Sequence, residues 1–245
     1  MMTNRQFEYV GKDLEAMDFA ENYHRWILDV FGPFLGKRLV EVGAGTGSFS
    51  ELLVGLSPER LVLIEPSNMF MSLKANLKDL SSKTSTSFFN STFSEAAPEV
   101  KAGHHPDSII YINVLEHIRD DIAELVTVFE TLRPGGRIFI FVPALAVLYS
   151  NFDRQIGHFR RYNMNDLKHK CRAVGFDILI ARNFDMPGIL PWLLKYRILR
   201  SLKMEAGAVA FYDKFAVPII RKFETFLPPP IGKNLILVAE KPSSR

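Results

Sequence analysis

Apolar runs with strand character alternate along most of this chain with helix-like segments, the pattern of a parallel sheet covered by helices. Arg38–Val42 reads as a first strand and Ser48–Val54 as the helix after it. Leu61–Glu65 is a second apolar strand, followed by a helix over Ser67–Leu80 with Ser67 at its N-cap. Thr86–Asn90 is a weak third strand and Ser108–Asn113 a strong fourth. A helix over Asp120–Leu132 is stopped by Arg133-Pro134-Gly135-Gly136. Arg137–Val142 is apolar after its arginine, as a central parallel strand should be. Asn165–Val174 is a helix ending at Gly175, Phe176–Ala181 a sixth strand and Asn234–Glu240 a last one.

Between the last two strands lie about fifty residues, too many for a structureless loop. An apolar helix around Ile189–Leu202 and a second near Phe211–Phe226 are expected there, closed by Pro228-Pro229-Pro230. In the first helix Leu194, Ile198 and Leu202 take one side and Trp192, Tyr196 and Leu199 another; a helix apolar most of the way round is usually buried. A structural lid or dimer surface is the favoured reading. The sharper ones are a pocket wall, or a patch touching lipid through residues 189–203 with its bases on headgroups. The expected architecture is α/β: a Rossmann-like, seven-stranded, mostly parallel sheet flanked by helices, with a helical insertion between the last two strands. It is expected as one domain over residues 1–245, with a helical lead-in over 1–35 and a lid over 184–233.

Composition narrows the function classes. The chain has 245 residues, 47% hydrophobic and 23% charged, with formal net charge +3 and a pI near 8.9. That charge is too mild to argue for nucleic acid, and no basic block supports it. A single cysteine, Cys171, excludes an internal disulfide and a cysteine-built zinc site and suits a reducing compartment. Met1 to Glu8 is polar with no apolar signal core, so a cytoplasmic location is expected. The oligomeric state stays open between monomer and homodimer.

Chemistry enters at Val40-Glu41-Val42-Gly43-Ala44-Gly45-Thr46-Gly47, a strand, a three-glycine turn and a helix start. Glycines let backbone approach a ligand, and the following helix points free N–H groups at it. The dinucleotide fingerprint is G-x-G-x-x-G, whereas the third glycine here comes one residue early and Ser48 stands in its place. Glu65 ends the second strand eighteen positions after Gly47, where a carboxylate can accept from both hydroxyls of a ribose.

With Glu41 just ahead of it, the glycine turn resembles motif I of the class I S-adenosylmethionine (SAM) methyltransferases. Asn113-Val114-Leu115-Glu116-His117-Ile118 and Leu132-Arg133-Pro134-Gly135-Gly136 are similar to two further segments of those that modify small molecules. Asp153, Gly157-His158-Phe159-Arg160-Arg161-Tyr162 and Gly175-Phe176 resemble a signature of one bacterial, quinone-methyltransferase-like branch. Tyr9, Gly11 and Asn22-Tyr23-His24-Arg25-Trp26 look like its N-terminal lead-in. The resemblance implies that SAM is the donor, leaving S-adenosylhomocysteine, and that Glu41, Gly43 and Gly45 surround its methionine portion, flanked by Ala44 and Gly47. It implies that Glu65 holds the ribose beside Pro66, and that Ser67, Asn68 and Met69 sit near the adenine. Ser91 and Thr92 fall in the adenine-amine region, where the family often has an acid and this chain does not. It places Asn113 at the cleft near the sulfonium and Tyr9 at the SAM carboxylate.

Methyl transfer to a hydroxyl also needs a base, and histidine suits it near neutral pH. His117 and His158 compete for that role. Glu116, Arg160, Arg161 and Tyr162 are candidate acceptor contacts, the arginines through bidentate bonds to an anion. Each has a plainer alternative: Glu116 as a structural carboxylate, the arginines paired with Asp153 or another acid, Tyr162 as a packed ring. His104-His105 reads as a solvated loop, and His24 and His169 as helix residues without a role. No His/Asp/Glu cluster shows metal-ligand spacing, so no required metal is expected. The preferred function is SAM-dependent methylation of a small-molecule acceptor, at oxygen of a hydrophobic or lipid-like metabolite. Its rivals are a SAM-binding protein without catalysis, an NAD-type oxidoreductase and a methyltransferase acting on macromolecules.

Overall fold

In the computed structural model, which describes residues 20–79 and 84–243, seven strands form one sheet in the order β3-β2-β1-β4-β5-β7-β6. The strands are β1 (Arg38–Val42), β2 (Arg60–Ile64), β3 (Thr86–Phe89), β4 (Ser108–Ile112), β5 (Arg137–Pro143), β6 (Asp177–Phe184) and β7 (Asn234–Glu240). The first five run parallel, and β7 lies antiparallel between β5 and β6. β1 pairs on both sides, Val40 opposite Val62 of β2 and Ile109 of β4. Its neighbours diverge from it in chain order, so the crevice at its carboxyl end is where an open α/β sheet binds ligands.

Two apolar layers cover the sheet. On one face α4 (Phe93–His104), α5 (Asp121–Thr131) and α7 (Met164–Val174) pack on Val40, Val62, Ile109 and Ile138. On the other, α1 (Glu21–Phe31), α2 (Ser48–Gly55), α3 (Phe70–Asn76) and α10 (Val217–Phe226) pack on Leu39, Leu61, Ile110 and Phe139. Alternate residues of each central strand thus feed opposite cores, and this is why those strands read as continuous apolar runs.

Several expectations need correction. The helix expected over Ser67–Leu80 begins only at Phe70, because the Ser67 hydroxyl and amide are spent locally: the hydroxyl accepts from Met69 N at 3.2 Å and the amide donates to Glu65 at 2.9 Å. Leu80 lies outside the described residues, as do Tyr9 and Gly11. Helix α4 adds to the expected elements; it carries Pro98 within it, and Thr92 and Glu95 close a capping box at its start. His104 is therefore a half-buried helix end packed edge-on to Phe89, not a solvated loop residue, while His105 is exposed. A short helix α6 (Asn151–Gln155) also arises in the β5–α7 connection, capped by Ser150. The sixth strand runs on to Phe184.

The insertion is helical, with shifted bounds. α8 (Ile189–Trp192) continues as a π-helical turn to Ile198, and α9 (Ala206–Phe211) joins α10 through a second π-helical turn, Tyr212–Ala216. Burial differs from the expectation: Tyr196 is buried and stacks on Phe152, whereas Leu194, Ile198, Leu199 and Leu202 are exposed.

Candidate active site

The strand ends build the site directly. After Val42 the chain turns at Gly43 and Ala44, both of whose amides donate to Ile64 O, at 2.8 and 3.0 Å. Gly43 sits at φ +71°, and a Cβ there would overlap the Val114 side chain, so only glycine closes the turn. At Gly45, φ +58°, a Cβ would meet open space; the backbone is bared there to the crevice. Gly45 N donates to Glu65 Oε2 at 2.8 Å while Ser67 N donates to Oε1 at 2.9 Å, and Asn90 Nδ2 holds the Glu65 carbonyl at 2.8 Å. Glu65 is thus a buried carboxylate fixed at both oxygens, beside the turn. Glu41, buried one strand over, accepts from the Ser50 hydroxyl, and burial pushes its carboxyl up to about 8.

The glycine turn, Glu41 and Glu65 line one cleft of about 540 Å³, within the range of small-molecule sites, roughly 300–1,000 Å³. Of the expected donor contacts, Glu41, Gly43, Ala44, Gly45, Glu65, Pro66, Met69, Thr92 and Asn113 line it. Asn113 does so at φ +51°, a conformation asparagine tolerates, with its amide bonded to Phe141 O. Gly47, Ser67 and Ser91 do not line it. Gly47 faces Leu73 and Leu77, and the Ser91 hydroxyl oxygen is buried without a hydrogen-bond partner among the described residues. His24, given no role from the sequence, lines the cleft from α1 with its ring edge-on to Phe49.

His117 reaches the same cleft from a single 3-10 turn after β4. Its ring stands 4.6 Å from that of His158, edge to face. Burial, with His158 beside it, lowers it to about 3, so it is neutral across the physiological range. His158 stays off the cleft lining. Its Nδ1 pairs with Asp153 Oδ1 at 3.0 Å and its Nε2 lies 3.7 Å from Glu116 Oε1. Glu116 is fully buried, neither carboxylate oxygen has a hydrogen-bond partner among the described residues, and burial pushes it up to about 8.

The four expected acceptor contacts are turned elsewhere. Glu116 lies behind His117, out of the cleft lining. Arg161 pairs with Asp153 at 2.8 Å and reaches Ala144 O, with its guanidinium over Trp192. Arg160 pairs with Asp121 at 2.6 Å, and the Tyr162 hydroxyl donates to the same carboxylate at 2.8 Å. Buried charges need partners, and these acids supply them. Burial works to raise the Asp153 carboxyl, and the bonds from His158 and Arg161 outweigh it, holding it below its ordinary range. The mouth instead presents Arg119, stacked 5.1 Å over Phe159. Nothing in the spacing of either marked it.

Folding also assembles a group that linear spacing hides. Glu116, His117 and His158 offer ligand atoms all within 4.8 Å of one another, with Asp153 orienting the His158 ring. Such a carboxylate and two imidazoles could hold a divalent cation. The expectation drawn from sequence spacing did not reach this grouping, because His158 arrives from beyond β5.

The fold and the cleft at its switch point define a nucleotide-cofactor α/β protein, and comparison with known proteins gives its family. A family model described as a methyltransferase domain matches residues 15–180, and the chain belongs to that family, which uses SAM as its methyl donor. Among curated relatives, the ubiquinone biosynthesis O-methyltransferase of Cereibacter sphaeroides is 32% identical over 105 residues, 42% of this chain and 40% of that protein. The tRNA U34 carboxymethyltransferase of Hydrogenovibrio crunogenus is 22% identical over 133 residues, 52% and 40% of the two chains. The chain spans 34% to 47% of the length of the curated relatives it matches. Among solved structures, a SAM-dependent methyltransferase from Archaeoglobus fulgidus superposes with TM-score 0.60 at 18% identity, covering 93% of this chain and 98% of that one. Phosphoethanolamine N-methyltransferase 2 of Haemonchus contortus, in complex with phosphomonomethylethanolamine and S-adenosylhomocysteine, gives 0.63 at 17%, covering 99% and 61%.

Proposed function

We propose that this chain moves a methyl group from SAM to an oxygen of a small, hydrophobic or lipid-like acceptor. The observation that carries the donor half is the pairing of Glu65, fixed by Gly45 N and Ser67 N, with the bare glycine turn and the buried Glu41 on one cleft. A ribose suits the outward lone pairs of Glu65. The cationic methionine end suits Glu41, a buried carboxyl that forms no ion pair among the described residues. Met69 and Thr92 would flank the adenine.

SAM supplies a methyl group already activated as a sulfonium. The chain's own residues then have to place the acceptor oxygen in line and take its proton. We assign the base to His117, the histidine that lines the cleft, with His158 and Asp153 positioning its ring from behind. A phenol or enol, which gives up its proton more readily than an alcohol, asks least of that base. Ile118, Phe93 and Phe159 give the cleft apolar walls for such a ring.

Two outcomes follow. His117→Ala should cut turnover about a hundredfold or more while SAM affinity stays unchanged in calorimetry. His158→Ala should cut turnover less, and full turnover in both variants would remove the base from this pair. SAM affinity should also depend on pH through Glu41. Its free carboxyl is protonated below about 8, and a bound cation favours the ionised form, so affinity should rise about tenfold between pH 6.5 and pH 8. Glu41→Gln should flatten that rise; an unchanged slope would show that Glu41 does not face the donor's charge.

The acceptor class is tested by incubating the protein with labelled SAM and either small-molecule extract or total RNA. Label in an apolar small molecule supports the proposal. Label in RNA alone would put the chain with its tRNA-acting relatives instead.

A further inference from the structure

The insertion contains a helix turned inside out. Over residues 206–226 the inward positions include Asp213 and Glu224 beside Val217 and Ile220, and all four are buried. The outward positions are Phe211, Phe215, Ile219, Phe223 and Phe226, spaced three or four apart and between 53% and 82% exposed. This is the reverse of a surface helix. Its rotation is locked by hydrogen bonds. Asp213 accepts from the backbone amides of Asn22 at 3.0 Å and Tyr23 at 2.8 Å, in the first turn of α1. Glu224 accepts from those of Asp185 at 3.0 Å and Met186 at 2.8 Å. Turning the phenyl face inward would strand four amides and two carboxylates, so the fold holds that face out.

The charge around it selects the partner. Residues 189–233 carry eight Lys and Arg against three Asp and Glu, net +5, while the whole chain is only +3. Two of the three acids are the buried Asp213 and Glu224, which leaves Glu205 as the exposed one. Arg197, Arg200, Lys203, Lys214 and Lys222 are exposed. A second copy of this face would bring like charge against like charge, whereas an anionic lipid surface complements both its apolar stripe and its bases. No helix among the described residues is long and apolar enough to cross a membrane.

We propose that residues 206–226, supported by the exposed leucines of the preceding helix, form an interfacial face that seats the protein on an anionic bilayer. This moves the lipid contact expected at residues 189–203 chiefly to the second helix. The inference needs no methyl transfer, so it can fail without touching the proposed reaction.

The test is flotation of the full chain with vesicles of phosphatidylcholine alone or mixed with phosphatidylglycerol, at low and high salt. Binding to the mixed vesicles, weakened by salt, is expected. The double variant F215E/F223E, changed only at exposed positions, should lose at least about tenfold in partitioning while binding SAM as before. K214E/K222E should lose binding to the mixed vesicles selectively. No binding by the unaltered protein, or undiminished binding by F215E/F223E, would overturn the proposal. So would a dimer in sedimentation that F215E/F223E dissolves while vesicles go unbound, since the face would then join two copies.

Discussion

Replacing Glu65 by alanine is expected to weaken SAM binding by about 10- to 100-fold, the equivalent of one hydrogen bond to a charged group. The effect has two sources. The ribose loses its acceptor, and the amides of Gly45 and Ser67, now joined by one carboxylate, lose theirs. The glycine turn should loosen, so Glu65→Gln, which keeps one acceptor, should fall between the two. Calorimetry measures both. Unchanged affinity in the alanine variant would show that the ribose lies elsewhere than at the tip of β2.

The second large effect is on stability. Asp153 is fully buried and carries three duties: it pairs with Arg161, it bonds His158, and it accepts from the Ser150 amide at the start of α6. Asp153→Ala leaves an Arg161 side chain 1% exposed without its paired carboxylate. Breaking one partner of a buried pair costs about 3–5 kcal/mol, which for a chain of this size is a Tm fall of roughly 10 °C. An apolar pair, D153L/R161M, should recover part of the loss, since removing both charges removes the stranded one. The pH dependence follows from the folded carboxyl titrating below its unfolded value of 3.8. The contribution is present above that value and is lost as pH falls through the folded one. A fall of only a degree or two on thermal melting would mean that water reaches Arg161.

The residues proposed for the donor half were legible in the sequence as a group because they are local. The run from Val40 to Gly47 and the acid at Glu65 are strand tips, and a strand tip points where the sheet order sends it. The acceptor half was not. Arg160, Arg161 and Tyr162 carry the residue types of anion recognition, but their partners Asp121 and Asp153 come from the chain segments after β4 and β5. Spacing cannot tell an arginine that meets a ligand from one that meets a buried carboxylate. His24 and the Glu116–His117–His158 group were missed for the same reason, since each depends on elements far apart in the chain. The fold itself was read well where burial on both faces made strands unambiguous. It was read poorly where local hydrogen bonds decide, as at Ser67 and at the start of α4. The insertion failed in a different way. Its helices were found, but apolar periodicity does not say which side faces the core, and here two buried carboxylates reverse the usual choice.

The most direct test of the central claim is titration calorimetry of the full chain with SAM and, separately, with NAD. One SAM bound per chain, and no heat of binding with NAD, is the expected result. NAD bound and SAM ignored would contradict it, and the glycine turn beside Glu65 would then belong to a dinucleotide site despite Ser48.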